Sequence, residues 1–97
     1  MIALTPEARR QVRALRDHYA ERHPPDAVRG LRTAIEVAWD KIVTDPAGGL
    51  AALRPCPHLA MPGRAWIKAG RYWIAYRTIP PVIVAVFYET ANIPGRL

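Results

Sequence analysis

Three short apolar runs in the last third of the chain constrain the fold most strongly. Residues 65–69, 72–79 and 82–88 have strand length, are rich in β-branched and aromatic side chains, and are separated by a Gly-Arg pair and a Pro-Pro pair. Two-residue turns between such runs are typical of hairpins, so the pattern predicts a three-stranded antiparallel meander. If the Gly-Arg pair is the turn, Ala69 faces Tyr72, and the alternation along each strand assigns side chains to two faces.

The two faces of the predicted first hairpin differ in chemistry. One face carries small and apolar side chains that can pack on helices: Ala65, Ile67, Ala69, Tyr72, Ile74 and Tyr76. The other face mixes cations with two indoles: Arg64, Trp66, Lys68, Trp73 and Arg77. The second composition suits a phosphate backbone and exposed bases. The alternative is a covered face on which the two indoles are cross-strand or diagonal neighbours that stabilise the hairpin without a ligand.

The first half of the chain predicts a helical hairpin. Thr5 and Pro6 open the first helix as a capping hydroxyl and a first-position proline, and its apolar residues recur every three or four positions. A proline pair after His23 ends this helix, and the stripe from Val28 to Ile42 marks the second helix. The two helices are expected to cover one face of the sheet. The predicted core consists of Val12, Leu15, Leu31, Ile35, Ala38, Ile42, Ile67, Ile74 and Val84.

The remaining segments are a short start and a long connection. Residues 2–4 form an apolar stretch that could be an edge strand. Residues 46–63 are rich in Pro and Gly without a convincing period, which predicts a loop. The fold class is therefore α+β: a short N-terminal strand, an α-hairpin and the meander, forming one sheet packed on the helices.

Charge and length limit the partners and the number of domains. The 97 residues fit one domain, 1–97, and the net charge is +6, of which residues 46–97 contribute +5 from six basic and one acidic side chain. A polyanion or an acidic protein is the expected partner. The single cysteine permits no internal disulfide, the N-terminus lacks a secretory signal, and no apolar run is long enough to cross a membrane. These features predict a cytoplasmic protein that does not associate with membranes.

The sequence gives little support for a metal site or a cofactor site. His18 and His23 lie five residues apart, and Cys56 and His58 lie together in the predicted loop, but this spacing does not supply a zinc site. The chain also lacks a Gly-rich phosphate loop and the common hydrolase motifs. We predict neither a metal nor a cofactor.

The order of these elements resembles the RelE/ParE toxin superfamily. LTPEARRQVRALRDHYAER is similar to the first strand and helix of these toxins, LRTAIEVAWDKIVTDP to the second helix, and GRYWIAYRTIPPVIVAVFYETANIP to the closing strands. The resemblance implies the toxin of a type II toxin-antitoxin system, neutralised by an acidic, ParD-like antitoxin. RelE-like members cleave mRNA on the ribosome as metal-independent endoribonucleases, whereas ParE-like members inhibit DNA gyrase.

The residues at the family's functional positions favour the ParE-like branch. Ribonuclease chemistry needs a proton acceptor, a proton donor and cations near one phosphate, and the candidates here are Lys68, Arg77 and Tyr88. Trp73 stands where RelE-like members tend to keep an arginine, and the ending ANIPGRL is similar to that of ParE-like toxins. We therefore favour gyrase over the ribosome. A third possibility is a degenerate toxin that only binds its antitoxin.

Two sets of residues follow from this interpretation. The candidates for target binding are Trp66, Trp73, Glu89, Asn92 and Arg96. The candidates for antitoxin binding are Arg9, Arg13, Arg16, Lys68 and Arg77. The first three arginines, called the α1 arginines below, gather on one side of the first predicted helix; their alternative role is a solvated helix surface.

Overall fold

Two α-helices and a three-stranded sheet make up most of the described part of the protein, as predicted. The computed structural model describes residues 2–22, 25–50 and 62–88. Its elements are α1 (Pro6–Arg22), α2 (Pro25–Thr44), a short 3-10 helix (Pro46–Gly48), β1 (Arg64–Ala69), β2 (Tyr72–Thr78) and β3 (Pro81–Tyr88). The strands pair in the order β1-β2-β3, and both pairings are antiparallel. This confirms the predicted α+β class, in which the helices lie on one face of the sheet.

Helix α1 begins where its sequence predicts. Thr5 precedes the helix, and its Oγ1 accepts a hydrogen bond of 3.2 Å from the backbone N–H of Ala8. This contact satisfies one of the donors that a helix N-terminus leaves unpaired. Pro6 occupies the first helical position, where its missing N–H costs nothing, and Glu7 lies in the first turn and forms an ion pair with Arg10.

The main core lies between the two helices and the inner face of the sheet, which is the face turned toward them. Among the predicted core residues, Leu31, Ile35, Ala38, Ile42 and Ile74 are buried, with at most 6% of their surface exposed. Val12, Leu15 and Ile67 are partly buried and pack against this cluster. Helix α2 is thus the central helix of the core.

The first hairpin has the predicted register. Ala69 pairs with Tyr72, and Gly70 takes a φ of +57° at the first turn position. A positive φ at this position is typical of the type II′ turn, which glycine adopts without steric cost. The predicted inner-face residues Ala65, Ala69 and Tyr72 are accordingly buried in the main cluster.

Strand β3 departs from simple alternation, and the placement of Val84 in the main core is wrong. A register shift lies between Ala75 and Tyr76 of β2, where the pairing passes from Ala75 with Ala85 to Tyr76 with Ile83. The extra residue, Val84, is left between these pairs, as in a β-bulge. Ile83 is therefore fully buried in the main cluster, whereas Val84 packs against a separate cluster of buried residues.

Each outer strand is also paired at one position by a segment outside the meander. The N–H of Ile83 donates to the carbonyl of Ala3 at 2.9 Å, and the N–H of Thr5 donates to the carbonyl of Ile83 at 3.0 Å. The predicted N-terminal strand is thus a single parallel bridge between Leu4 and Ile83. At the opposite edge, Leu50 and Trp66 exchange two backbone hydrogen bonds of 2.7 and 2.8 Å.

The predicted loop begins with more order than its composition indicates. The hydroxyl of Tyr76 donates to the carbonyl of Pro46 at 2.7 Å and so fixes the 3-10 helix against the sheet. Residues 51–61 of this segment, with Cys56 and His58, lie outside the described residues. Neither of the two described helices is long and apolar enough to cross a membrane.

Candidate functional site

The outer face of the sheet, turned away from the helices, contains a second small core. Trp66, Ala75, Ala85 and Phe87 are buried together there, and the rings of Trp66 and Phe87 stack with centroids 6.4 Å apart. Trp66 has no exposed surface, so the expectation that it is exposed on this face was wrong. Alternation predicts which way a side chain points, but it does not reveal whether that side is covered.

The indole nitrogen of Trp66 is also buried. Among the described residues no acceptor pairs with its Nε1. Buried donors usually have a partner, since leaving one unpaired costs about 1–3 kcal/mol. Trp66 therefore contributes to stability through its packing rather than through its polar atom.

Lys68 and Trp73 form one end of the outer face. They are cross-strand partners, and Nζ of Lys68 lies 5.8 Å from the centroid of the Trp73 ring. This distance is within the range of a cation–π interaction. Lys68 is exposed and Trp73 is partly buried, so the ammonium and part of the indole are accessible together.

Two arginines lie at the other end of the outer face. Arg64 and Arg77 are directly opposite each other on β1 and β2, and Arg77 is exposed. Arg77 lies four positions after Trp73 along β2, which corresponds to about 13 Å. The outer face thus carries cations on both sides of the buried Trp66 cluster.

Tyr88 lies on the inner face, opposite to Lys68. Its ring meets the ring of Tyr72 edge to face, with centroids 5.7 Å apart, and Arg71 donates from Nη1 to its hydroxyl at 3.3 Å. The hydroxyl of Tyr72 donates to that of Tyr19 at 2.8 Å. The pKa of Tyr72 is raised mainly by its burial and, to a smaller extent, by this hydrogen bond. The structure therefore does not bring together the three ribonuclease candidates, since Lys68 and Arg77 lie on the outer face.

The α1 arginines are all exposed. Arg16 is at the rim of a groove of about 570 Å³ between the helices, whose apolar lining includes Val12, Val28 and Leu31. Arg32 of α2 lines the same groove and forms an ion pair of 3.0 Å with Glu36. Arg32 was not among the residues predicted from the sequence, although it neighbours Leu31 in the apolar stripe of α2. Glu36 also lines the groove, so the charged residues around its apolar surface are two arginines and one glutamate.

Four of the residues named from the sequence lie outside the described residues: Glu89, Asn92, Arg96 and His23. His18 is exposed on α1. Within the described ranges there is no group of three His, Cys, Asp or Glu side chains that could hold a metal ion.

Comparison with known families agrees with the architecture. The family model described as the ParE toxin of type II toxin-antitoxin system, parDE, matches residues 2–90, which include both helices and the whole meander. No curated protein matches the chain. The match confirms the family and the branch that the sequence predicted. Because it covers 89 of 97 residues, the chain belongs to the ParE toxin family of type II toxin-antitoxin systems.

Proposed function

We propose that this toxin inhibits DNA gyrase and that a cognate, acidic, ParD-like antitoxin neutralises it. The match to the ParE family over residues 2–90 is the observation that carries the proposal. The charge of +6, concentrated in residues 46–97, fits an acidic antitoxin and a target that is bound to DNA.

The positions of the ribonuclease candidates favour gyrase over mRNA cleavage. Attack of a 2′-hydroxyl on a phosphate needs an acid and a base within hydrogen-bond reach of the same phosphodiester. Lys68 projects from the outer face, whereas Tyr88 packs against Tyr72 on the inner face. One phosphodiester would not contact both groups without a large rearrangement.

The antitoxin is expected to use the side of the protein formed by the helices. The groove between α1 and α2 has an apolar lining for an amphipathic helix, and Arg16 in that lining complements acidic side chains, whereas Arg32 is paired with Glu36 of the same groove. The other α1 arginines, Arg9 and Arg13, extend this basic surface along α1. Such charges mainly accelerate association and select partners, while apolar contacts supply most of the affinity.

The deciding experiment is a supercoiling assay with purified gyrase, together with a translation assay that reports ribonuclease activity. The wild-type chain should inhibit supercoiling and leave translation intact. The double variant Lys68→Ala, Tyr88→Phe should behave like wild type, because neither group is needed for gyrase inhibition. A chain without residues 92–97 should lose inhibition but still bind the antitoxin. Arg96→Ala tests the predicted target-binding arginine of this segment in a chain of full length.

Each alternative gives a different result. Inhibition of translation that the double variant abolishes would establish the ribonuclease. A chain that binds its antitoxin but affects neither assay would be the degenerate toxin. If the double variant loses gyrase inhibition while the shortened chain keeps it, the assignment of the target-binding segment is wrong.

A further inference from the structure

The turn between β2 and β3 carries the most exposed large apolar side chain of the described residues. Thr78 pairs with Pro81, so Ile79 and Pro80 form a two-residue turn, called the β2–β3 tip below. Ile79 is 89% exposed, whereas the other exposed large apolar side chains of the described part of the chain are 40–47% exposed. Pro80 beside it is also exposed. The hairpin thus ends in a narrow apolar tip that lies in solvent.

The base of this tip is held by hydrogen bonds to the residue before β1. The backbone N–H of Thr78 donates to the carbonyl of Gly63 at 3.0 Å, and the Oγ1 of Thr78 donates to the same carbonyl at 3.4 Å. All three strands are therefore connected where the tip begins. A tip on a fixed base loses little conformational entropy when it inserts into another molecule.

A cation lies close to the tip. Arg77 is exposed and is two positions before Ile79, which corresponds to about 7 Å along β2. None of the ion pairs between described residues involves Arg77. Residues 62–88 contain four basic residues and neither Asp nor Glu. A single exposed isoleucine would not indicate a partner, but an apolar tip beside a cation on a basic hairpin indicates a polyanion with an apolar interior.

Double-stranded DNA has this combination of properties. Proteins that bind its minor groove insert apolar side chains, including Ile and Pro, between base pairs, while cations contact the phosphates. Base pairs rise by about 3.4 Å, so Arg77 lies within about two base pairs of a step that the tip would enter. Single strands are bound instead by stacking on exposed aromatic rings. Trp66, the indole of the outer face nearer to the tip, has no exposed surface.

We propose that the β2–β3 tip binds double-stranded DNA from the minor groove, with Ile79 and Pro80 wedged into a base step and Arg77 on an adjacent phosphate. Insertion partly unstacks the step and kinks the duplex. The cost is lowest at a flexible pyrimidine–purine step such as TA. This activity goes beyond gyrase inhibition, because it belongs to the toxin alone and does not depend on the identity of the target.

The first test measures binding of the full-length chain, made by cell-free synthesis, to a labelled duplex of about 24 base pairs with a central TA step. Fluorescence anisotropy should show micromolar binding at about 50 mM salt that weakens toward about 200 mM. Arg77→Gln should reduce the slope of log K against log salt by about 1, because one phosphate contact is lost. The matched control Arg29→Gln removes the same charge from α2, where Arg29 is paired with Asp26, and should leave the slope unchanged.

The second test measures the wedge. A duplex with one fluorophore at each end reports a kink as an increase in energy transfer, which should be larger for a central TA step than for a central A-tract. Ile79→Ala should remove at least roughly half of this increase. Val37→Ala, at another exposed apolar position, should leave it unchanged. Both variants change exposed side chains, so their melting temperatures should match that of the wild type.

Four results would each overturn the proposal. They are no duplex binding at up to about 100 μM protein, binding without a kink, an unchanged kink with Ile79→Ala, and equal affinity for the single strand. If Ile79→Ala lowers gyrase inhibition but the chain does not bind the duplex, the tip contacts a protein instead, which also overturns it. Neither DNA measurement contains gyrase, so their failure is distinct from failure of the proposed function.

Discussion

Two single substitutions, Ile83→Thr and Val84→Thr, test the bulge in β3. Threonine keeps the β-branch and the strand propensity, so each change mainly introduces a hydroxyl. Ile83 has no exposed surface and lies in the main core. Ile83→Thr removes about one methylene, worth roughly 0.8 kcal/mol, and buries a hydroxyl at a cost of about 1–3 kcal/mol, so the loss should be roughly 2–4 kcal/mol.

Val84→Thr is the matched comparison. Val84 is only partly buried, at the edge of the Trp66 cluster, and its substitute has nearly the same volume. The new hydroxyl can reach water, so the expected loss is below about 1 kcal/mol. Urea denaturation and thermal melts measure both variants; in a domain of this size 1 kcal/mol corresponds to about 4–8 °C.

The reverse order would refute the bulge. Strict alternation along β3 would place Val84 in the main core and Ile83 on the outer face. A larger loss for Val84→Thr than for Ile83→Thr would therefore show that the register shift between Ala75 and Tyr76 is absent in solution.

Three further predictions follow. Leu31→Ala should lower the unfolding free energy by roughly 2–5 kcal/mol, while the exposed Thr33→Ala should change it by less than about 0.5 kcal/mol; equal melting temperatures would contradict the core assignment. Because burial raises the pKa of Tyr72, its hydroxyl loses the proton at a lower pH in the unfolded chain than in the folded chain. The free energy of unfolding should therefore fall as the pH rises above about 10. In urea melts at several pH values, Tyr72→Phe should reduce this loss of stability. An unchanged dependence of stability on pH would contradict the role of Tyr72. The association rate with the antitoxin should decrease as salt rises, and replacing the α1 arginines with alanine should weaken this dependence; a salt-independent rate in stopped-flow measurements would exclude electrostatic attraction.

The sequence predicted the elements that depend on local chemistry. Thr5 and Pro6 mark the start of α1, and a glycine with positive φ forms the first hairpin turn, which sets the pairing of Ala69 with Tyr72. Cap geometry and turn type are properties of a few neighbouring residues, and side-chain chemistry determines them directly.

Features that depend on pairing or on coverage were not predictable in the same way. The position of Val84 depends on a residue inserted relative to β2, which neither strand shows by itself. The burial of Trp66 depends on what covers the outer face. For the site, the sequence identified the cations at Lys68 and Arg77. Tyr88 was selected for its position at the end of the last apolar run and not for its face, which its pairing with Tyr72 sets as the inner one.

The pairing at both sheet edges affects how copies of this chain can meet. An open strand edge can template the addition of a strand from another molecule, which leads to edge-to-edge dimers or aggregates. Leu50 occupies the hydrogen-bonding groups of Trp66, the N-terminal segment occupies those of Ile83, and Gln11 Oε1 accepts from the N–H of Val86 at 2.8 Å. At these positions a second copy finds no backbone groups to pair with. The protein's own segments thus act as a built-in protection against self-association through the sheet.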